Sequence, residues 1–199
     1  MVSRSRQGEI PSLPVRKFTV DEYHLMAKAG VFVDGDPFEL LEGWIVPKMT
    51  RNPPHDVTIQ IIDYALRDHL PTGWSVRIQC AITTGDSEPE PDIAVVQGST
   101  RAYLRRHPGP ADIALLVEVA DSTLARDRAD KGRLYARAGI GSYWIVNLVD
   151  GQVEVYTQPS GPTDLPSYHQ RHDHGIDETV SLLIEGREVA SIPVRHLLP

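Results

Sequence analysis

Three charged side chains between Glu88 and Tyr135 stand where an ordinary fold would place none. Asp92 follows Pro91 and opens the apolar stretch Ile93–Val96. Glu118 interrupts a second apolar stretch, Ile113–Val119. Lys131 belongs to a segment from about Thr123 to Ala138 that reads as a helix. At about 100° per residue, Leu124, Lys131, Tyr135 and Ala138 share a narrow arc, while Arg126, Arg133 and Arg137 point elsewhere. Lys131 therefore falls on the face that should meet a sheet. A lone buried charge costs several kcal/mol, so it is expected to be paired or to bind an ion. Two carboxylates and a lysine converging at strand ends would let the acids hold a cation while the lysine meets an anion. That chemistry is metal-assisted attack on a phosphate. The competing reading is a buried Glu118–Lys131 ion pair with Asp92 capping a turn. Against it, two carboxylates near one point repel unless something positive lies between them.

The elements that must position these residues follow the hydrophobic pattern. Ile93–Val96 and Ile113–Val119 read as strands, the second so continuously apolar that both faces should be covered. The helix crosses over to another strand, Tyr143–Val146, which implies a mixed sheet with some parallel pairing. Asp150-Gly151 marks a hairpin into Val153–Tyr156. Upstream, Thr19-Val20-Asp21-Glu22 is a capping box that starts a helix ending near Gly30. Phe38–Val46 reads as a hairpin with its turn at Glu42-Gly43, and alternation puts Glu39 on the face of Leu41. Glu39 is there either for the site or as a solvent-facing glutamate. Pro53-Pro54 opens a helix with Val57, Ile61, Ala65 and Leu66 as its apolar positions. His55, in its first turn, either approaches a phosphate or is an exposed polar residue. Trp74–Thr84 alternates as a strand, and Glu88-Pro89-Glu90-Pro91 reads as a stiff, solvated acidic connector. Val180–Ile184, Glu188–Ile192 and Val194–Leu198 should close the fold as short strands or a final turn.

Composition sets the outer bounds. A chain of 199 residues predicts a single domain able to bury a full core. Residues 1–17 are expected to be a flexible arm and not a signal peptide, with the domain spanning 18–199. The single cysteine, Cys80, excludes an internal disulfide framework and fits a reducing, cytoplasmic compartment. No apolar run approaches the roughly 18 residues of a membrane span. A formal net charge of −7 argues against a general nucleic-acid coat protein. Local clusters differ: Arg101, Arg105, Arg106 and His107 share a loop, and Arg126, Arg128, Arg133 and Arg137 decorate the Lys131 helix. They are candidates for a phosphate-backbone track, or simply solvated surface. His169, His172 and His174 lie close in sequence, but strand geometry would send His169 to the opposite side from the other two.

Taken in order, Pro91-Asp92, Val117-Glu118-Val119, Asp130-Lys131, Tyr135-Ala136, Gly139-Ile140 and Tyr143-Trp144-Ile145-Val146 resemble the Uma-two family of restriction endonucleases, within the PD-(D/E)XK nuclease superfamily. Glu39–Gly43 and Pro54-His55 fit the same pattern, and the resemblance spans about Phe18 to Leu198. It implies a restriction-endonuclease-like α/β core, a mixed sheet flanked by helices. It implies that Asp92, Glu118 and the backbone carbonyl of Val119 hold Mg²⁺ or Mn²⁺, with Glu39 completing the catalytic acids. The parent superfamily places its lysine two residues after the glutamate, where this chain has Ala120. The Uma-two pattern moves it to the following helix, where Lys131 matches. The implied activity is hydrolysis of nucleic-acid phosphodiesters, DNA above all, with His55, Arg101, Arg105 and Arg126 as candidate phosphate contacts and a homodimer as a possible assembly. The alternatives are a nucleic-acid-binding or scaffold protein that keeps the fold without cleaving, a hydrolase of some other phosphate, and a structural dimer built on a buried ion pair.

Overall fold

A computed structural model describes residues 15–32, 36–49 and 51–199. The first 14 residues of the expected N-terminal arm lie outside that range. Among the described residues no helix is long and apolar enough to cross a membrane.

The frame is a six-stranded mixed sheet in the order β3-β4-β5-β6-β7-β8. Its members are β3 (Trp74–Ile78), β4 (Ile93–Gln97), β5 (Ile113–Ala120), β6 (Ser142–Asn147), β7 (Gln152–Pro159) and β8 (Tyr168–His174). Only β5 and β6 pair in parallel. The chain joins them through the helical segment that carries Lys131, as a parallel pair requires. That segment was expected to be a continuous α-helix. Instead α3 (Leu124–Arg126) runs into a π-helical turn, Asp127–Lys131, and then into α4 (Gly132–Arg137).

Both faces of the sheet are covered, which explains the unbroken apolar run in β5. Leu115, Val117 and Val119 pack with α2 (Pro53–Arg67) and with the separate pair β9 (Thr179–Ile184) and β10 (Arg187–Pro193). Leu116 and Ala120 face the other way, toward Leu134, Tyr135, Tyr143 and Ile145. Strand alternation therefore puts Glu118 on the α4 side. The remaining pieces are α1 (Val20–Lys28), whose capping box forms as expected, and the hairpin β1 (Phe38–Leu41) and β2 (Trp44–Pro47). Its turn bends through Glu42 and Gly43, both at positive φ, the hairpin geometry that Glu-Gly allows.

Two expectations need correcting. The strand from Trp74 stops at Ile78: Gln79 still donates its N–H to the Asp92 carbonyl in the β3–β4 register, but its left-handed φ of +49° ends the extended run. In α2 the buried face is Thr58, Ile59, Ile62 and Leu66, while Val57 is exposed. Thr58 fits there because its hydroxyl donates to the Pro54 carbonyl four residues back.

Candidate active site

Strand register brings the two carboxylates together. β4 and β5 are antiparallel with Ile93 opposite Val117, so Asp92 must lie beside Glu118. The backbone fixes them further. The Val119 N–H donates to Asp92 Oδ2 at 2.9 Å, and the Asp92 N–H points at Glu118 Oε2 at 3.4 Å. From the other side of the cleft, His55 Nε2 reaches Asp92 Oδ2 at 3.2 Å. His55 thus belongs to the site, half-buried, and is not an exposed first-turn residue. Its backbone N–H is held by the side chain of Asn52, the N-cap of α2. Burial disfavours a charged imidazole, but the hydrogen bond to Asp92 and its negative charge outweigh that and raise the His55 pKa.

Lys131 meets Glu118, as the sequence offered, and also Glu39. Its Nζ lies 3.0 Å from Glu39 Oε2 and 3.4 Å from Glu118 Oε1. The ion-pair alternative is therefore partly realised, with Glu39 as the nearer partner. Glu39 is buried, not solvent-facing, and also takes Arg126 at 3.2 Å and the Glu90 N–H at 3.2 Å. Tyr135, fully buried, donates its hydroxyl to Glu118 Oε1 at 2.6 Å. Burial pushes the Glu118 carboxyl up, to about 8; the Lys131 ammonium opposes this, and Asp92 and Asp127 add to it. For Lys131 burial works against the charge, yet Glu118 and Glu39 more than offset it and the pKa is raised. We read the cluster as a charged lysine among carboxylates that crowd one another.

Asp92, Glu118, Lys131, Glu39, His55 and Arg126 line a cleft of about 550 Å³, together with Val119, Asp121, Ser122 and Thr123. The site is thus open to solvent, although Glu118 and Lys131 are individually buried. Carboxylates outnumber cationic side chains along the lining. Asp127, which the sequence reading did not single out, is a further buried acid here, with its pKa pushed up by burial to about 6. The π-turn spans Asp127 to Lys131, so both ends of that wide turn serve the cleft; such turns recur at functional sites.

The donor chemistry suits a hard divalent cation. Asp92 and Glu118 present carboxylate oxygens, and Val119 lines the same cleft. Among the described residues, Asp92 Oδ1 has only a long 3.5 Å contact with the Gln79 amide, and so retains capacity to bind. An excess of carboxylates over cationic side chains along the lining is the charge imbalance a cation would relieve.

Other candidates lie elsewhere. Arg101 and Arg105 are exposed in the loop after β4, beyond the end of that strand opposite Asp92, and do not line the cleft. The helix arginines form no open track: Arg128 binds Glu154, while Arg133 and Arg137 bind Glu42. Arg126 alone of that set lines the cleft. Nor is Glu88 solvated; it is buried and contacted by His24 and His107. His169, His172 and His174 occupy β8 with the alternation expected of a strand.

Comparison with known proteins agrees with this architecture. A family model, Uma2, described as "putative restriction endonuclease", matches residues 20–190. A solved structure from Anabaena variabilis, a "putative nuclease belonging to DUF820", superposes with a TM-score of 0.66 at 16% identity, covering 90% of this chain and 97% of that one. No curated protein matches the chain.

Proposed function

This chain belongs to the Uma2 family, and from that premise we propose that it is a divalent-metal-dependent nuclease hydrolysing nucleic-acid phosphodiester bonds, with DNA as substrate. The reading is carried by one observation: Asp92, Glu118 and Lys131, from three separate segments, meet at one wall of an open polar cleft. Asp92, Glu118 and the Val119 carbonyl would hold Mg²⁺ or Mn²⁺, which when bound lowers the pKa of a water and offsets charge on phosphoryl oxygens.

The chain's own groups supply the rest. The Val119 N–H and His55 fix Asp92, and Tyr135 fixes Glu118. Glu39 and Glu118 hold the Lys131 ammonium ready for negative charge as it develops, a stabilisation that needs no reorganisation. Arg126 and His55, with Lys48 and Arg51 in the same lining, are groups that could meet backbone phosphates, which position a duplex without reading its sequence. Arg101 and Arg105 contact phosphate only if the duplex runs past the far end of β4. Cleavage of both strands calls for a symmetric pair of subunits.

The test is cleavage of plasmid and linear DNA in Mg²⁺ or Mn²⁺ by the wild type, Asp92→Ala and Glu118→Ala. Both variants are expected to fold and to lose cleavage; normal cutting by both ends the proposal. Lys131→Ala should lose at least roughly tenfold in rate, the scale of one preorganised contact. One observation favours the alternative, a scaffold that binds nucleic acid without cutting: the Lys131 ammonium is already engaged by two carboxylates. That alternative requires Mn²⁺ to leave thermal stability unchanged.

A further inference from the structure

A second group of ligating side chains lies outside the acidic cleft. His24 comes from α1, Glu88 from the segment bridged to β1, and His107 from the loop between β4 and β5. One ligand atom from each lies within 4.8 Å of the other two. None of the three lines the cleft. The two places are back to back across β1: Glu39 turns into the cleft, while the carbonyl of Leu40, the next residue, accepts the Glu88 N–H at 2.7 Å.

We propose that His24, Glu88 and His107 form a metal site for a Zn²⁺-class ion, clipping α1 and the β4–β5 loop onto the β1 hairpin. Two imidazoles and one carboxylate suit a borderline metal, whereas the oxygen-only donors of the cleft suit a hard one. Metal–ligand bonds of about 2.0–2.2 Å in a tetrahedron put neighbouring ligand atoms about 3.3–3.5 Å apart. Around one oxygen, Glu88 Oε1, the structure straddles that spacing: His24 Nε2 is 2.9 Å away and His107 Nε2 is 3.7 Å away. The outer support is present, since Thr83 donates its hydroxyl to Glu88 Oε2 at 3.0 Å, the kind of contact that orients a ligating carboxylate. Glu88 is buried while both histidines are partly exposed, so the remaining coordination position opens to solvent. A simple ion pair accounts for one histidine at this carboxylate. The second, with its ring 6.3 Å from the first, is accounted for by shared ligation. Such a clip also has structural work to do, because α1 has no fully buried residue to anchor it.

The test titrates Zn²⁺ alone into the tag-free, metal-stripped chain carrying Asp92→Asn and Glu118→Gln, which disables the cleft. Calorimetry is expected to give one ion per chain, with a Zn²⁺-dependent rise in Tm and visible absorption bands when Co²⁺ replaces it. His24→Asn and His107→Asn should each weaken binding at least roughly tenfold and remove the Tm rise. Both residues are partly exposed, so these variants keep the fold, as circular dichroism of the metal-free proteins will verify. His172→Asn with His174→Asn should change nothing. Undiminished binding in the His24 and His107 variants, loss of binding in the β8 variant, or no Tm rise in the parent overturns the proposal.

Discussion

At the residue scale Glu118 is held between one ammonium and one phenol. Glu118 Oε1 has two partners, the Tyr135 hydroxyl at 2.6 Å and Lys131 at 3.4 Å, and the shorter contact is the better placed hydrogen bond. Tyr135→Phe keeps the ring packing and removes that donor from a buried carboxylate. The expected cost is about 1–3 kcal/mol in urea unfolding, the penalty for leaving a buried acceptor without its donor. A stability within about 0.5 kcal/mol of wild type, the scatter of neutral surface changes, would show that the phenol does not support Glu118 in solution. Much of this cluster was legible in the sequence. Asp92, Glu118 and Lys131 each broke an apolar pattern, and the helical arc placed Lys131 and Tyr135 on one face. Asp127 escaped although it lies four residues before Lys131 and so on the same helical face; in a segment already rich in charge it breaks no apolar pattern. Glu88 escaped because Pro-flanked glutamates look solvated, and its partners His24 and His107 are distant in sequence.

At the element scale, the strands, the α1 cap and the β1–β2 hairpin followed from periodicity and turn chemistry. The errors arose where backbone geometry or packing overrode local pattern: Gln79 turns left-handed and ends β3 where it meets Asp92, and α2 buries Thr58 in preference to Val57. Glu154 shows how elements are tied together by a residue that looks ordinary. It sits fully buried on β7, yet accepts from Arg128 in the π-turn, from Asn147 at the end of β6 and from Tyr156. Burial alone would raise its pKa, but these bonds, with Arg171 nearby, lower it below the ordinary value of 4.5. A carboxylate whose folded pKa is depressed gives stability that is complete above its unfolded value and is lost as pH falls through the folded one. Stability should therefore drop as the pH goes below about 4.5. Glu154→Gln, which cannot titrate, should be less stable at neutral pH and show a flatter acid limb. An identical slope in both proteins would mean that other carboxylates set the acid limb.

At the scale of the whole molecule, charge decides how a polyanion could approach. The chain carries −7 overall, and its cleft adds a local excess of carboxylates around Lys131 and Arg126. Most helix arginines that might have offset this are paired with Glu154 or Glu42. Exposed charges further apart than about 8–10 Å are largely screened at physiological salt, so on the proposed function the acids lining the cleft would dominate the energy of a phosphate entering it. Without a cation between them, a duplex and this cleft repel. Divalent ions should therefore switch on binding as well as cleavage. In Ca²⁺, which shares the oxygen ligands of Mg²⁺ but prefers looser geometry, duplex affinity measured by fluorescence anisotropy should exceed that in EDTA by at least about tenfold, or roughly 1.4 kcal/mol. The same gain should vanish in Asp92→Ala with Glu118→Ala, because removing both acids removes the ion and much of the repulsion together. That double variant should bind DNA weakly, equally in Ca²⁺ and EDTA, and lose affinity with added salt as a purely electrostatic contact does. Equal affinity of the wild-type chain in Ca²⁺ and EDTA would show that the acids do not face the phosphate, and would move the nucleic-acid contact to another surface.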